Sequence, residues 1–109
     1  MIKVSLSPDA ERDLSRIKDY IAEELDNPTA ANRVLAGITK RISALSEFPA
    51  LGPSLETIFS LQSDYRFLVC GNYIAFYLYE QDMVLVDRVL HGKRDFVKVL
   101  FGDLSDSTF

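Results

Sequence analysis

Three strand-like runs joined by two tight turns fill Tyr65 to Phe96, and this meander constrains the chain more than any other stretch. Tyr65–Cys70 and Tyr73–Glu80 flank Gly71-Asn72, a dipeptide suited to a two-residue hairpin turn. That turn sets Cys70 opposite Tyr73, Leu68 opposite Ala75 and Arg66 opposite Tyr77. Strand side chains alternate, so one face carries Tyr65, Phe67, Val69, Ile74, Phe76 and Leu78 and is expected to lie under the helices. The other, expected to be open, carries Arg66, Tyr73, Tyr77 and Tyr79 together with Leu68, Cys70 and Ala75. Met83–Leu90 forms the third strand. Its turn at Glu80-Gln81-Asp82 is ambiguous by one residue, and a one-residue slip exchanges the faces. A two-residue turn sets Arg88 on the open face beside Arg66 and Asp87 toward the helices; a three-residue turn does the reverse. We favour Arg88 on the open face.

What precedes the meander reads as a cover for it. Ile2, Val4 and Leu6 alternate with Lys3 and Ser5, the period of a half-buried strand. Ser7-Pro8-Asp9 then predicts a helix start: a hydroxyl N-cap, a proline at the first helical position and an acid at the positive helix end. Ala10, Leu14, Ile17, Ile21 and Leu25 give that helix one apolar stripe. Asn27-Pro28 repeats the start signal, and Ala31, Leu35, Ile38, Ile42 and Leu45 give a second stripe that ends before Pro49. A short connection makes the two an antiparallel hairpin. Residues 50–64 carry the Gly52-Pro53 breaker and no period, which predicts a loop over the sheet, with Ile58, Phe59 and Leu61 as plugs or a short extra strand. The expected fold class is α+β: an N-terminal strand, a helical hairpin, then a three-strand antiparallel meander, in one sheet covered on one face by the helices. Residues 1–102 form a single domain, and 103–109 form a polar tail.

Composition narrows the function classes. A chain of 109 residues supports one modest core. With 16 acidic against 12 basic residues and a net charge of −4, it has no bulk attraction for nucleic acid or anionic membrane. The single cysteine, Cys70, excludes an intrachain disulfide and a multi-cysteine zinc site. The N-terminal residues lack the apolar core of a signal peptide and no run approaches the length of a membrane span, so the expected compartment is the cytoplasm.

The polar cluster His91-Gly92-Lys93-Arg94-Asp95 leaves the last strand, and Phe96–Leu100 continues as a short helix or extended arm. Histidine suits acid or base work near neutral pH. A lone histidine at a strand end is more often a capping or packing residue, and Arg94-Asp95 equally suits a local ion pair. No metal-ligand spacing, Ser-His-Asp set or phosphate-cradling glycine loop accompanies the cluster, so no metal and no cofactor are expected. Two arginines and three tyrosines on the open face would suit phosphate and base contacts, or Arg66 could simply stack on Tyr77.

Taken together, the strand, helical hairpin, loop, meander and terminal HGKRD resemble the RelE/ParE superfamily of bacterial toxins from type II toxin–antitoxin modules. The resemblance covers nearly the whole chain. It is carried by NPTAANRVLAGITKRISALSEFPALG from Asn27, Tyr65-Arg66, GNYIAFY at Gly71–Tyr77 and RVLHGKRD at Arg88–Asp95. It implies a small antiparallel sheet with the hairpin on one face, and a cognate antitoxin whose C-terminal segment wraps and neutralises the toxin.

Two activities occur in the superfamily. Its ribosome-dependent messenger-RNA nucleases resemble one another in cations on the open sheet face and a late tyrosine or histidine. By position Arg66 and Arg94 match such cations, but Leu68 and Ile74 stand where others are expected, and Leu100 falls near the late tyrosine. On that alternative Arg66, Arg88 and Arg94 contact phosphate on ribosome-bound mRNA and His91 is acid or base. The HGKRD ending and the NPTAA helix start look more like the ParE branch, whose members bind DNA gyrase and need no catalytic residue. That resemblance makes Arg88, His91, Lys93, Arg94, Phe96 and the C-terminal segment candidates for target contact. A third reading is a degenerate toxin fold that only binds antitoxin.

Overall fold

The computed structural model describes residues 2–102. Its strands are β1 (Lys3–Leu6), β2 (Arg66–Cys70), β3 (Tyr73–Glu80) and β4 (Met83–His91). They form one sheet in the order β1-β4-β3-β2. The meander is antiparallel, but β1 lies parallel to β4, so the sheet is mixed. The helical hairpin crosses one face between β1 and the meander, the kind of long connection that parallel neighbours require.

That hairpin is α1 (Pro8–Asp19), which runs into a π-helical turn (Tyr20–Glu24), and α2 (Pro28–Ser43), which tightens into a 3-10 turn (Ala44–Ser46). Both starts are capped as the sequence predicts: Ser7 Oγ accepts from the Ala10 amide at 2.9 Å and Asn27 Oδ1 from the Ala30 amide at 3.1 Å. Ala10, Ile17, Ile21, Ala31, Ile38, Ile42 and Leu45 are buried against the sheet. Leu25 is not. The Leu25 amide reaches back five residues to the Tyr20 carbonyl at 3.3 Å, and this wider turn rotates Leu25 off the stripe, leaving it 57% exposed.

The two sheet faces are exchanged relative to the expectation from sequence. Leu68, Cys70, Ala75, Tyr77, Val84, Val86 and Val89 form the core with α1 and α2. The row of Arg66, Tyr73, Tyr77 and Tyr79 is therefore not an open face. Its phenols do not forbid burial: Tyr77 is fully buried, donating to the Pro49 carbonyl at 2.8 Å and accepting from the Gly52 amide at 2.9 Å. A tyrosine with both hydrogen-bonding roles filled packs as a large apolar side chain.

The opposite row is also covered, by α3 (Leu55–Phe59) and α4 (Phe96–Phe101). Leu55, Phe76 and Leu90 are buried there, with Tyr65, Phe67, Ile74, Phe96, Val99, Leu100 and Phe101 packed around them. Leu55 is thus the plug in the 50–64 segment, while Ile58 and Phe59 remain largely exposed. Gly52 permits the approach of that segment to β2, since a Cβ there would lie 2.2 Å from the Phe67 carbonyl oxygen.

The Gly71-Asn72 hairpin has the predicted register. The next turn is the two-residue one, with Gln81 and Asp82 both at positive φ, 48° and 65°. A bulge then intervenes: Tyr77 pairs with Val86 and Phe76 with Arg88, leaving Asp87 without a partner in the ladder. The extra residue moves Arg88 opposite Phe76, off the row of Arg66. Among the described residues no helix is long and apolar enough to cross a membrane. The polar tail expected at 103–109 lies outside the described residues.

Candidate functional site

The four cations and one histidine named from sequence do not converge. Arg88 turns to α1, where its Nε and Nη2 donate to the two Asp13 carboxylate oxygens at 2.7 and 2.9 Å. Asp13 is 4% exposed and also accepts from the Val89 amide at 2.9 Å, capping β4 where β1 has ended. The Asp13 hydrogen bond, opposed in part by burial, raises the Arg88 pKa and keeps it protonated. Arg66 Nη1 donates to the Gly52 carbonyl at 2.7 Å, pinning the loop over Tyr77. Both arginines are structural parts of the fold.

Phe96 is likewise a packing residue. It stacks on Phe76 with ring centroids 5.2 Å apart and meets the edge of Phe59 at 5.3 Å. Asp95 caps α4, accepting from the Lys98 amide at 3.2 Å. The Arg94-Asp95 ion pair considered from sequence does not occur.

His91, Lys93 and Arg94 remain exposed at the end of β4. Their backbone forms a tight turn: the Gly92 amide donates to the Asn72 carbonyl at 2.8 Å and the Arg94 amide to the His91 carbonyl at 2.9 Å. His91 Nδ1 accepts from the Lys93 amide at 3.1 Å, so a neutral imidazole carries its proton on Nε2. The Tyr73 ring lies edge-on to His91 at 5.3 Å. Tyr79, at the far end of the same row, is exposed and belongs to neither group.

A cleft of about 670 Å³ opens beside this turn, between the hairpin and the sheet end. Its walls include His91, Arg94 and Tyr73, and also Arg16, Tyr20 and Val34, which sequence reasoning did not single out, and Leu25, which it placed on the buried stripe of α1. Asp13 was missed as well, although a signal existed: it lies three residues after Ala10 and four before Ile17, on the apolar stripe of α1. Leu25 carried no such signal, because its exposure depends on the π turn. Among the described residues no group of three or more His, Cys, Asp or Glu side chains could hold a metal ion. The geometry offers a basic rim around an apolar cleft, a surface for binding.

Comparison with known proteins agrees with this architecture. Residues 4–96 match the family model for the ParE toxin of the type II toxin–antitoxin system, parDE. The fold is similar to a chain from the chromosomal ParDE system of P. aeruginosa, at 17% identity and a TM-score of 0.69, over 84% of this chain and 96% of that one. A conserved hypothetical protein of Helicobacter pylori is similar over 84% of this chain and 94% of its own, at 15% identity and a TM-score of 0.45. No curated protein matches. The family match spans most of the sequence, from within β1 to the first residue of α4, and by it the chain belongs to the ParE toxin family of type II toxin–antitoxin systems.

Proposed function

We propose that the protein is a cytoplasmic growth inhibitor that binds DNA gyrase and is neutralised by a cognate antitoxin. The family assignment supports the toxin role, and the similarity to a ParDE system supports an antitoxin partner. One observation carries the choice of a binding activity over RNA cleavage. Two of the three arginines that a nuclease would use are engaged within the fold, Arg88 by buried Asp13 and Arg66 by the Gly52 carbonyl. Phosphoryl-transfer chemistry without metal needs cations gathered around one phosphate. Here His91 and Arg94 stand without them.

Target contact on this reading falls to His91, Lys93 and Arg94. The test adds purified protein to a gyrase supercoiling reaction and, in parallel, to a translating extract. The expected result is gyrase inhibition that weakens in a Lys93→Glu/Arg94→Glu variant, with no messenger cleavage. Ribosome-dependent cleavage lost in His91→Ala would overturn the proposal in favour of a nuclease. Absence of both effects, with no growth arrest on expression without antitoxin, would leave a fold that only binds antitoxin.

A further inference from the structure

A second cleft, of about 470 Å³, adjoins the one beside His91, and Val34, Asn72 and Tyr73 line both. Each volume falls in the range of small-molecule sites, about 300–1,000 Å³. The two differ in chemistry. Around the larger stand three aromatic rings, those of Tyr20, Tyr73 and His91, over a floor of Ile17, Ile21 and Val34. Burial first, and the neighbouring Tyr20 phenol second, push the Tyr73 pKa up, so the two phenols are close enough to sense each other's charge. Asn72, at the boundary, brings a side-chain amide with both a donor and an acceptor.

The smaller cleft is cationic. Arg33 and Arg41 line it from α2, with Gly37 midway between them. Residues spaced by four share a helix face, and eight residues of helix rise about 12 Å. Gly37 places no side chain in that interval, and a Cβ there would meet nothing within 4 Å. Arg41 Nε donates to the Val69 carbonyl at 3.2 Å, which ties the guanidinium to the end of β2 through one nitrogen and leaves the terminal pair for a ligand. Among the described residues neither arginine has a carboxylate within ion-pair distance, and neither the Gly71 nor the Asn72 amide at the hairpin tip donates to the backbone. The one carboxylate among the described residues lining the two clefts, Asp13, is engaged by Arg88 and the Val89 amide. This occurs in a chain with 16 acidic residues and a net charge of −4. A local cationic strip on an anionic protein selects an anionic ligand.

We propose that the paired clefts form a binding site for a nucleoside polyphosphate. The phosphate chain lies along α2 across Gly37, its charge shared between Arg33 and Arg41. An interval of about 12 Å suits a chain of phosphates and is too wide for a single one to bridge. The base turns past Val34 into the larger cleft, between Tyr20 and Tyr73, where its flat face meets aromatic rings and its edge meets the Asn72 amide. An alkyl phosphate would satisfy the arginines and the aliphatic floor, but it would leave the rings and Asn72 without a matching partner. The site binds and cuts nothing. It goes beyond the toxin reading above and does not rest on it.

The test titrates isotope-labelled full-length protein with ATP, GTP, AMP and inorganic tripolyphosphate. The better of the two triphosphates is expected to bind at least about tenfold more tightly than AMP or tripolyphosphate, each of which lacks part of the ligand. Its amide shifts should map to Tyr20, Arg33–Arg41 and Gly71–Tyr73. Arg33→Glu/Arg41→Glu, two exposed substitutions, should abolish binding. Gly37→Glu should do the same, because its carboxylate enters the open interval while both arginines stay in place. Tyr20→Ala should weaken the triphosphate and leave tripolyphosphate unchanged. Retained dispersion of the amide spectrum shows that each variant is folded. No binding of either triphosphate at millimolar concentration, AMP or tripolyphosphate binding as tightly as the triphosphate, unchanged binding in Arg33→Glu/Arg41→Glu, or shifts on another surface would each overturn the proposal. The titration contains neither gyrase nor ribosomes, so its failure leaves the toxin reading intact, and a negative supercoiling assay leaves the nucleotide site intact.

Discussion

Tyr65 donates its phenolic proton to Asp87 across 2.6 Å, tying the residue before β2 to the bulge in β4. The same Asp87 accepts from Ser7 Oγ through its backbone carbonyl, also at 2.6 Å. One residue outside the ladder thus anchors both the entry to the meander and the N-cap of α1. Tyr65 in turn meets the edge of Phe101, which holds α4 against the sheet.

That bond makes stability depend on alkaline pH. Burial first, and the Asp87 hydrogen bond second, push the Tyr65 pKa from 10.0 up to about 12. A raised folded-state pKa means that the neutral phenol is favoured in the folded protein. Its contribution is complete below pH 10 and is lost as pH rises toward about 12. Urea midpoints of the parent and Tyr65→Phe should differ by a constant amount below pH 10 and converge above it. A gap that does not change with pH would show that the hydroxyl has no linked role.

Asp13→Ala should be among the most damaging single changes. It leaves Arg88 half-buried without its partner and the Val89 amide without an acceptor, and breaking a buried pair from one side costs about 3–5 kcal/mol. Arg88→Met leaves the more deeply buried Asp13 carboxylate with the Val89 amide alone and should also destabilise, whereas Asp13→Asn/Arg88→Met, which removes both charges and keeps an acceptor for that amide, should cost less than either single loss of a partner. Denaturant melts of the three variants check the order.

Two glycines should respond in opposite directions. Gly52→Ala would place a methyl group 2.2 Å from the Phe67 carbonyl oxygen and 2.9 Å from the Tyr77 ring, so the loop must move. Overpacking of this kind costs about 1–3 kcal/mol. Gly37→Ala meets open space within a helix and should stabilise the fold by about 0.5–1 kcal/mol. Thermal denaturation of the pair checks both signs.

The β3–β4 turn is built from residues poorly suited to it. Gln81 and Asp82 both sit at positive φ, a region that Gly adopts freely, that Asn and Asp tolerate, and in which a glutamine is strained. Gln81→Asn/Asp82→Gly should raise stability by about 1 kcal/mol, read as a higher urea midpoint with an unchanged slope.

Features that depend on neighbours in sequence were legible in the sequence. The caps at Ser7 and Asn27, the hairpin register around Gly71-Asn72, the stripe of α2 and that of α1 as far as Ile21 follow from short-range rules and occur; only Leu25 leaves its stripe. The choice of sheet face did not follow. Both rows of the meander are apolar enough to bury, and what permits Tyr77 to face the helices is a pair of groups at Pro49 and Gly52, far away in the chain. For the same reason Arg66 and Arg88 read as free cations: their partners, the Gly52 carbonyl and Asp13, come from other elements. The exposed turn at His91, Lys93 and Arg94 was visible as a polar cluster, whereas its neighbouring cleft depends on a π turn that interrupts an otherwise regular period.

The bulge has a further consequence. Deleting Asp87 would let Arg88 follow Val86 directly, with Phe76 and Tyr77 opposite them as now, so the ladder would become continuous and each apolar side chain of β4 would keep its present side. The sheet therefore has no need of Asp87. What would be lost is the clasp: Tyr65 would release, and with it the hold on Phe101 and the entry to β2. The irregularity in β4 acts as a fastening between layers, carried by a residue that the strand itself could do without.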